Sequence, residues 1–301
     1  MIQFPELNRD ARASLEAEGQ FPGGWETMAQ LERVADTALA RLRARRTELA
    51  AGGPATLRAL SLVDRLLWTE RVEYLDRDDV SDARKQRIVH ALHRMNQGLL
   101  SYHRFLHHLR PAIEHVARRE RRPARVLELA SGSGEFTMAL GRLAGRKGLP
   151  VRVTGSDVVP AYVAHAIIRA QARRLPVRFV ELNAFDLLST LTPGDFDICF
   201  IAQSIHHFSP GQLAMMVAQA GLAGARHFVG IDGRRSLLMA VGLPLFTALS
   251  LQRDFVHDAA ITARRFYSEA ELALIADIAA PGADVSVERA EPGYSVLHVR
   301  Y

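Results

Sequence analysis

A single cysteine, Cys199, serves all 301 residues. An internal disulfide is therefore excluded, and with it the small cross-linked scaffolds typical of secreted domains. Cys199 sits in the apolar run 196–202, with neither a histidine nor a second thiol beside it, and reads as packing material. Lysine is nearly missing: Lys85 and Lys147 stand alone among 38 basic residues. The net charge of +5 therefore rests on arginine. A basic balance raises the question of nucleic acid, but the arginines are interspersed with acids along helical stretches. The densest run, Arg118-Arg119-Glu120-Arg121-Arg122, falls where a linker or hinge is expected, so a nucleic-acid partner is disfavoured. Long apolar runs are also missing. Residues 237–251 fall short of the ~20 needed to span a bilayer, and Gly242 and Pro244 interrupt them. They read as an apolar helix over a cleft or against the preceding helices, with weak contact to a membrane surface as the alternative. The opening residues show no basic stretch followed by an apolar core, so no targeting peptide is read, and the expected location is the cytoplasm.

What is present suffices for one large or two modest domains: 48% of the residues are hydrophobic and 24% charged. From residue 25 to about 115 the period is helical. Leu31, Val34, Ala38 and Leu42 keep one face, Ile88, Leu92, Met95 and Leu99 another, and Gly52-Gly53-Pro54 breaks the first helix from the next. After Pro123 short apolar runs (125–130, 151–156, 177–182, 196–202 and 227–231) alternate with amphipathic stretches, the rhythm of βαβ units around a parallel sheet. The last two runs, 284–289 and 294–299, are separated only by a turn at Pro292-Gly293, which forces an antiparallel hairpin. Ser209-Pro210-Gly211-Gln212 and Ser268-Glu269-Ala270-Glu271 read as helix-opening capping boxes. The expected division is an N-terminal all-helical cap on the substrate side, 1–121, and an α/β domain 122–301 with a helical insertion at about 233–267.

The strongest chemical signal is Val126-Leu127-Glu128-Leu129-Ala130-Ser131-Gly132-Ser133-Gly134, a buried strand running into a glycine turn before a helix that starts near Glu135. Such glycines let the backbone approach a ligand closely. A dinucleotide site wants a third glycine three residues on, where this chain has Thr137, and usually no acid in the strand, where it has Glu128. The second strand delivers Asp157, an acid placed to accept hydrogen bonds from a ribose diol; its bland alternative is a helix cap. The third delivers Asn183-Ala184-Phe185-Asp186, able to meet an adenine. Together these describe an adenosine cleft at the switch point of an open sheet. The fourth strand delivers Gln203-Ser204-Ile205-His206-His207-Phe208 to the same rim. Imidazoles there are candidate general bases.

On these motifs the chain resembles the class I S-adenosylmethionine-dependent methyltransferases over roughly residues 122–301. The resemblance implies a Rossmann-like seven-stranded sheet, six strands running one way with a terminal antiparallel hairpin, and S-adenosylmethionine as cofactor. It implies cofactor contacts from Glu128, Ala130, Gly132 and Gly134, from Asp157 and Val158, from Asn183, Ala184 and Phe185, and from Gln203. Ala130 stands where a glycine is common, and Asn183 where an acid is. The stretches Asp232-Gly233-Arg234-Arg235, 253–258 and 262–268, with Asn96 and residues 106–111, are similar to a bacterial subgroup associated with secondary metabolites. That similarity implies a small aromatic or lipophilic acceptor, with O-methylation favoured. His207, His206 or His257 would be the base, and Asp232, Arg264 and Arg265 would lie on the substrate side; a salt-bridge cluster with Asp254 and Asp258 is the bland alternative for His257 and the two arginines. No histidine or carboxylate spacing points to a metal, and the expected state is a monomer or homodimer. Two other readings stand beside this one. A nucleic-acid methyltransferase commonly carries an Asn/Asp-Pro-Pro-aromatic element after the fourth strand, where this chain has Ala202-Gln203-Ser204-Ile205. A non-catalytic cofactor-binding accessory protein is the second.

Overall fold

The computed structural model describes residues 2–21 and 23–301. Five helices come first: α1 (Pro5–Ala17), α2 (Met28–Gly52), α3 (Ala55–Leu67), α4 (Asp82–Gly98) and α5 (Ser101–Glu120). Strands and helices then alternate through β1 (Ala124–Glu128), α6 (Glu135–Lys147), β2 (Val151–Asp157), α7 (Pro160–Ala172), β3 (Val177–Glu181), β4 (Ile198–Ala202), α8 (Pro210–Leu222) and β5 (His227–Gly233). The inserted helices α9 (Leu237–Ala248) and α10 (Arg253–Thr262) follow, then α11 (Glu269–Ala279) and the hairpin β6 (Asp284–Ala290) and β7 (Tyr294–Arg300). Both capping boxes form, Ser209 with Gln212 and Ser268 with Glu271. The seven strands make one sheet in the order β3-β2-β1-β4-β5-β7-β6, with β7 antiparallel to β5 and to β6. This is the Rossmann-like α/β sheet expected from the strand rhythm, with its terminal hairpin.

Because the sheet is buried on both faces, alternate residues of one strand enter different cores. Cys199 and Ile201 of β4 join Leu31, Leu39 and Leu42 of α2 and Leu213, Met216 and Ile275 of α8 and α11. Ile198 and Phe200 join Phe105, Leu109, Ile113 and Val116 of α5. Helices α2 and α5 thus pack on the two faces of the sheet. Cys199 is buried and its thiol pushed up to about 12 by burial, as packing material should be. Arg122 and Arg125 hold Asp197 by paired hydrogen bonds, which fixes the start of β4 against β1. Among the described residues no helix is long and apolar enough to cross a membrane.

A buried charge cluster ties the early helices to the late ones. Glu271 of α11 has no exposed surface and lies 2.8 Å from Arg43 and 3.7 Å from Arg46, both on α2. Arg235, just before α9, lies 2.6 Å from Asp64 of α3. Burial alone would raise the Glu271 carboxyl, but Arg43, Arg235 and Arg46 hold it well below the usual carboxylate range. Removing one member strands buried opposite charge. Glu271→Ala should therefore lower the unfolding free energy by about 3–5 kcal/mol in urea titrations; a loss below about 1 kcal/mol would mean that the arginines rehydrate freely.

Candidate functional site

Parallel pairing brings the carboxyl ends of β1, β2 and β4 together at one edge of the sheet: Glu128 is level with Gly155 and with Phe200. The loops leaving this edge are stitched together. The Ser131 N–H donates to the Ser156 carbonyl at 2.8 Å, and the Leu182 N–H to the Asp157 carbonyl at 3.0 Å. Asp157 accepts from the Gly132 N–H at 2.8 Å through one carboxylate oxygen and from the Val159 N–H at 3.0 Å through the other. Each oxygen keeps a further lone pair. Gly134 takes φ +72°, and a β-carbon there would lie 2.4 Å from the Phe179 ring, so only glycine fits. Gly132 takes φ +52° with open space where its β-carbon would be. Ala130 and Gln203 take the same left-handed conformation, with φ +49° and +54°, at a cost that functional loops often carry.

Beneath the loop, Glu128 is fully buried and accepts from the Thr137 hydroxyl, the residue that replaces the third glycine of a dinucleotide motif. Burial raises its carboxyl to about 8. Val158 is exposed beside Asp157. Asn183 caps its own loop by accepting from the Phe185 N–H at 2.9 Å. Gln219 of α8 clamps that loop by donating to the Phe185 carbonyl and accepting from the Leu187 and Leu188 N–H groups. An open backbone cradle, an acid and an Asx-turned loop thus share one edge, and the donor set suits a nucleoside with a diol.

Beyond Gln203 a cavity of roughly 320 Å³ opens. Its walls are apolar: Ile88, Leu92, Met95 and Leu99 of α4, with Leu243 and Phe246 of α9 and Phe255 of α10. Glu73, His206, His207 and Asp232 supply its polar end. Gln203 and Asn96 of α4 exchange side-chain hydrogen bonds at 2.7 and 3.1 Å, joining the rim to the helical wall. His206 is buried, with Nδ1 2.8 Å from Asp232 and Nε2 3.5 Å from Glu73. Burial lowers its affinity for a proton, but Asp232 and Glu73 more than reverse this and raise it to about 10. Burial likewise opposes ionisation of Glu73, which its contacts with His206 nevertheless bring down to about 2. His206 is therefore an imidazolium at neutral pH. Both of its nitrogens face carboxylates, so the base role expected for it from sequence would require the ring to release one of them.

His207 lines the cavity with Nδ1 2.8 Å from the Asp76 carboxylate. A carboxylate only accepts, so in the neutral ring Nδ1 carries the hydrogen and Nε2 is left as an acceptor. Of the other sequence candidates, Asp232 lines the cavity, whereas His257, Arg264 and Arg265 are not among its lining residues. His257 stacks on Tyr74 at 4.0 Å and pairs with Asp258. Arg264 donates to the Leu67 and Trp68 carbonyls, and Arg265 lies behind His207, donating to its carbonyl. His257, expected as a candidate base, and Arg264 and Arg265, expected on the substrate side, are each engaged with neighbouring segments. Sequence reasoning missed Glu73 and Asp76. They border a single turn of 3₁₀ helix at Tyr74–Asp76, and no periodicity or motif marks them.

Residues 126–223 match a family model described as a methyltransferase domain. A curated relative, demethylmenaquinone methyltransferase of Thermus thermophilus, is 34% identical over 107 residues, covering 34% of this chain and 46% of its own length. The chain thus spans about half the length of that relative. Among solved structures, the plantazolicin methyltransferase BamL in complex with a triazolic desmethylPZN analog and SAH superposes with a TM-score of 0.53 at 14% identity, over 72% of this chain and 90% of that one. The plantazolicin methyltransferase BpumL in complex with SAH gives 0.53 at 11%, over 73% and 91%. The structural likenesses concern the fold. The family match falls on the segment that carries the motif residues, and both agree with the resemblance to class I S-adenosylmethionine-dependent methyltransferases.

A His206 pKa raised from 6.5 to about 10 binds its proton more tightly folded than unfolded. The stability it confers is full below about pH 6.5 and is lost as pH climbs through about 10. Unfolding free energy should therefore decline between those limits, by at most about 1.4 kcal/mol per pH unit, and His206→Asn should flatten the decline. A slope unchanged in the variant would refute the ion-paired assignment.

Proposed function

We propose that this protein transfers the methyl group of S-adenosylmethionine to a small, apolar acceptor held in the cavity, with a hydroxyl oxygen as the acceptor atom. The observation that carries the reading is the continuity between two sites. A nucleoside-type cleft at the ends of β1, β2 and β3 meets, at Gln203, an apolar cavity that ends on a histidine–carboxylate pair. The cavity volume of roughly 320 Å³ is in the range of small-molecule sites, and its walls come from helices rather than from an open groove.

When bound, S-adenosylmethionine supplies a sulfonium methyl that is already activated toward nucleophiles. Gly132 and Gly134 would cradle it by backbone, Asp157 would take the ribose hydroxyls, and Asn183 to Phe185 would meet the base. What remains for the chain is alignment, exclusion of water and removal of one proton. The aliphatic face of α4 and the side chains of α9 keep water from the acceptor. Nε2 of His207, freed by the commitment of Nδ1 to Asp76, takes the hydroxyl proton, and Asp76 steadies the imidazolium that forms. His206, already charged and held at both nitrogens, positions the loop that carries His207.

Two variants test this. Asp157→Ala should raise the cofactor dissociation constant at least about tenfold, because a charged hydrogen-bond acceptor contributes about 1.5–3 kcal/mol; unchanged calorimetric affinity would remove Asp157 from the cleft. His207→Ala should lower kcat toward phenolic acceptors by about a hundred- to ten-thousand-fold and abolish the acid limb of the pH–rate profile, with cofactor affinity kept. A variant that retains full kcat would show that no base is needed.

A further inference from the structure

Helix α9 is apolar on two sides, and only one of them is used. Its inner side lines the cavity through Met239, Leu243 and Thr247. Its outer side presents Val241, Leu245 and Leu249 to solvent, with relative exposures of 58%, 66% and 77%. This four-residue spacing makes one stripe. Leu238 and Phe246 belong to both sides: each lines the cavity and each is exposed, 75% and 44% respectively, so the stripe borders the cavity mouth. A second apolar strip lies on α3, which is tied to the start of α9 through Asp64. On α3 the only fully buried residue is Asp64, held by Arg235 just ahead of α9, while Leu62 and Leu66 stand 46% and 69% exposed.

The exposed charge around these strips is mainly arginine. From Arg234 to Arg253 the chain contains no aspartate or glutamate. Arg65, Arg71 and Arg253 are exposed and enter no ion pair among the described residues, and the one exposed acid on the α3 side is Glu70. Apolar side chains flanked by unpaired arginines match a surface that is apolar in depth and negative at its rim. We infer that α9 and α3 form a docking face for an anionic lipid bilayer, on which the helices lie without crossing. The cavity mouth then opens at the membrane surface, so a lipophilic acceptor dissolved in the bilayer reaches it without passing through water. That last step rests on the methyl-transfer reading; the docking itself does not.

Flotation of the full chain, without cofactor or acceptor, with vesicles of equal parts phosphatidylcholine and phosphatidylglycerol tests it. The protein should float with these vesicles and detach as salt rises, and should bind pure phosphatidylcholine weakly. Leu245→Ser combined with Leu249→Ser, neither residue lining the cavity, should weaken binding to the mixed vesicles about tenfold or more at an unchanged melting temperature. Arg65→Gln with Arg253→Gln should reduce binding to the anionic vesicles and leave the weak neutral binding as it was. Absence of flotation at low salt would overturn the proposal, as would binding indifferent to the leucine changes. So would a soluble dimer that the leucine changes dissociate, since the face would then belong to a second copy. Methyl transfer to a water-soluble phenol, assayed separately, tells failure of docking apart from failure of the catalytic reading.

Discussion

The imidazolium of His206, held between Asp232 and Glu73, joins the sheet edge to the helices that cover it. Asp232 ends β5, His206 follows β4, and Glu73 comes from the segment before α4, where it also accepts from Thr262 of α10 at 2.6 Å. Two buried carboxylates depend on the cation between them, because without it two like charges would face one another unscreened. The floor of the cavity is therefore held together through the His206 ring. Asp232 fixes the loop further by accepting from the backbone N–H groups of His206 and Gly233, both at 2.8 Å. The trio retains one net negative charge, a field that favours cationic over anionic occupants of the space above it.

With the floor fixed electrostatically, the walls can be made of apolar surface alone. The face of α4 carrying Ile88, Leu92, Met95 and Leu99 has the pattern of a helix packed on a core, yet it faces a cavity. Such a face is left with apolar area that only a ligand can cover, so the hydrophobic term that elsewhere folds the chain is here available for binding. The neighbouring histidines divide the polar work. One ring has both nitrogens committed to carboxylates and serves as structure; the next has one nitrogen committed and one free. Of the two, His207 is the less satisfied, which is why the proposed base is His207.

What the sequence made legible follows from how local each signal is. The glycine loop, Asp157 and the Asn183 turn lie directly after apolar runs, so strand ends and loop chemistry could be read together, and the parallel register brings them to one edge. The two capping boxes are contained within four residues each and formed as read. The helical period of α4 was legible, but its destination was not, since amphipathicity states that a face is covered without stating by what. Glu73 and Asp76 were invisible because their importance is entirely tertiary: each meets a histidine far along the chain. Arg264 and Arg265 looked like substrate contacts for the converse reason. Arginines near a site are as readily spent on backbone carbonyls, and Arg264 closes the end of α3 in this way.

The insertion that closes the cavity explains why its outer surface is unusual. A lid over an apolar site needs apolar residues only on its inner side, and polar substitution outside would cost nothing in binding. Residues 237–249 instead contain no charge at all, and the outward leucines lie in a stripe that borders the mouth. The buried ion pair of Arg235 with Asp64 pins the start of this helix to α3, so the two exposed strips are held in fixed relation and do not fold over one another to hide their area. A surface kept open by a buried ion pair, charged mainly by arginine at its margins, is arranged to be covered from outside. An acceptor soluble in lipid is the kind of molecule for which such a lid would face outward as well as in.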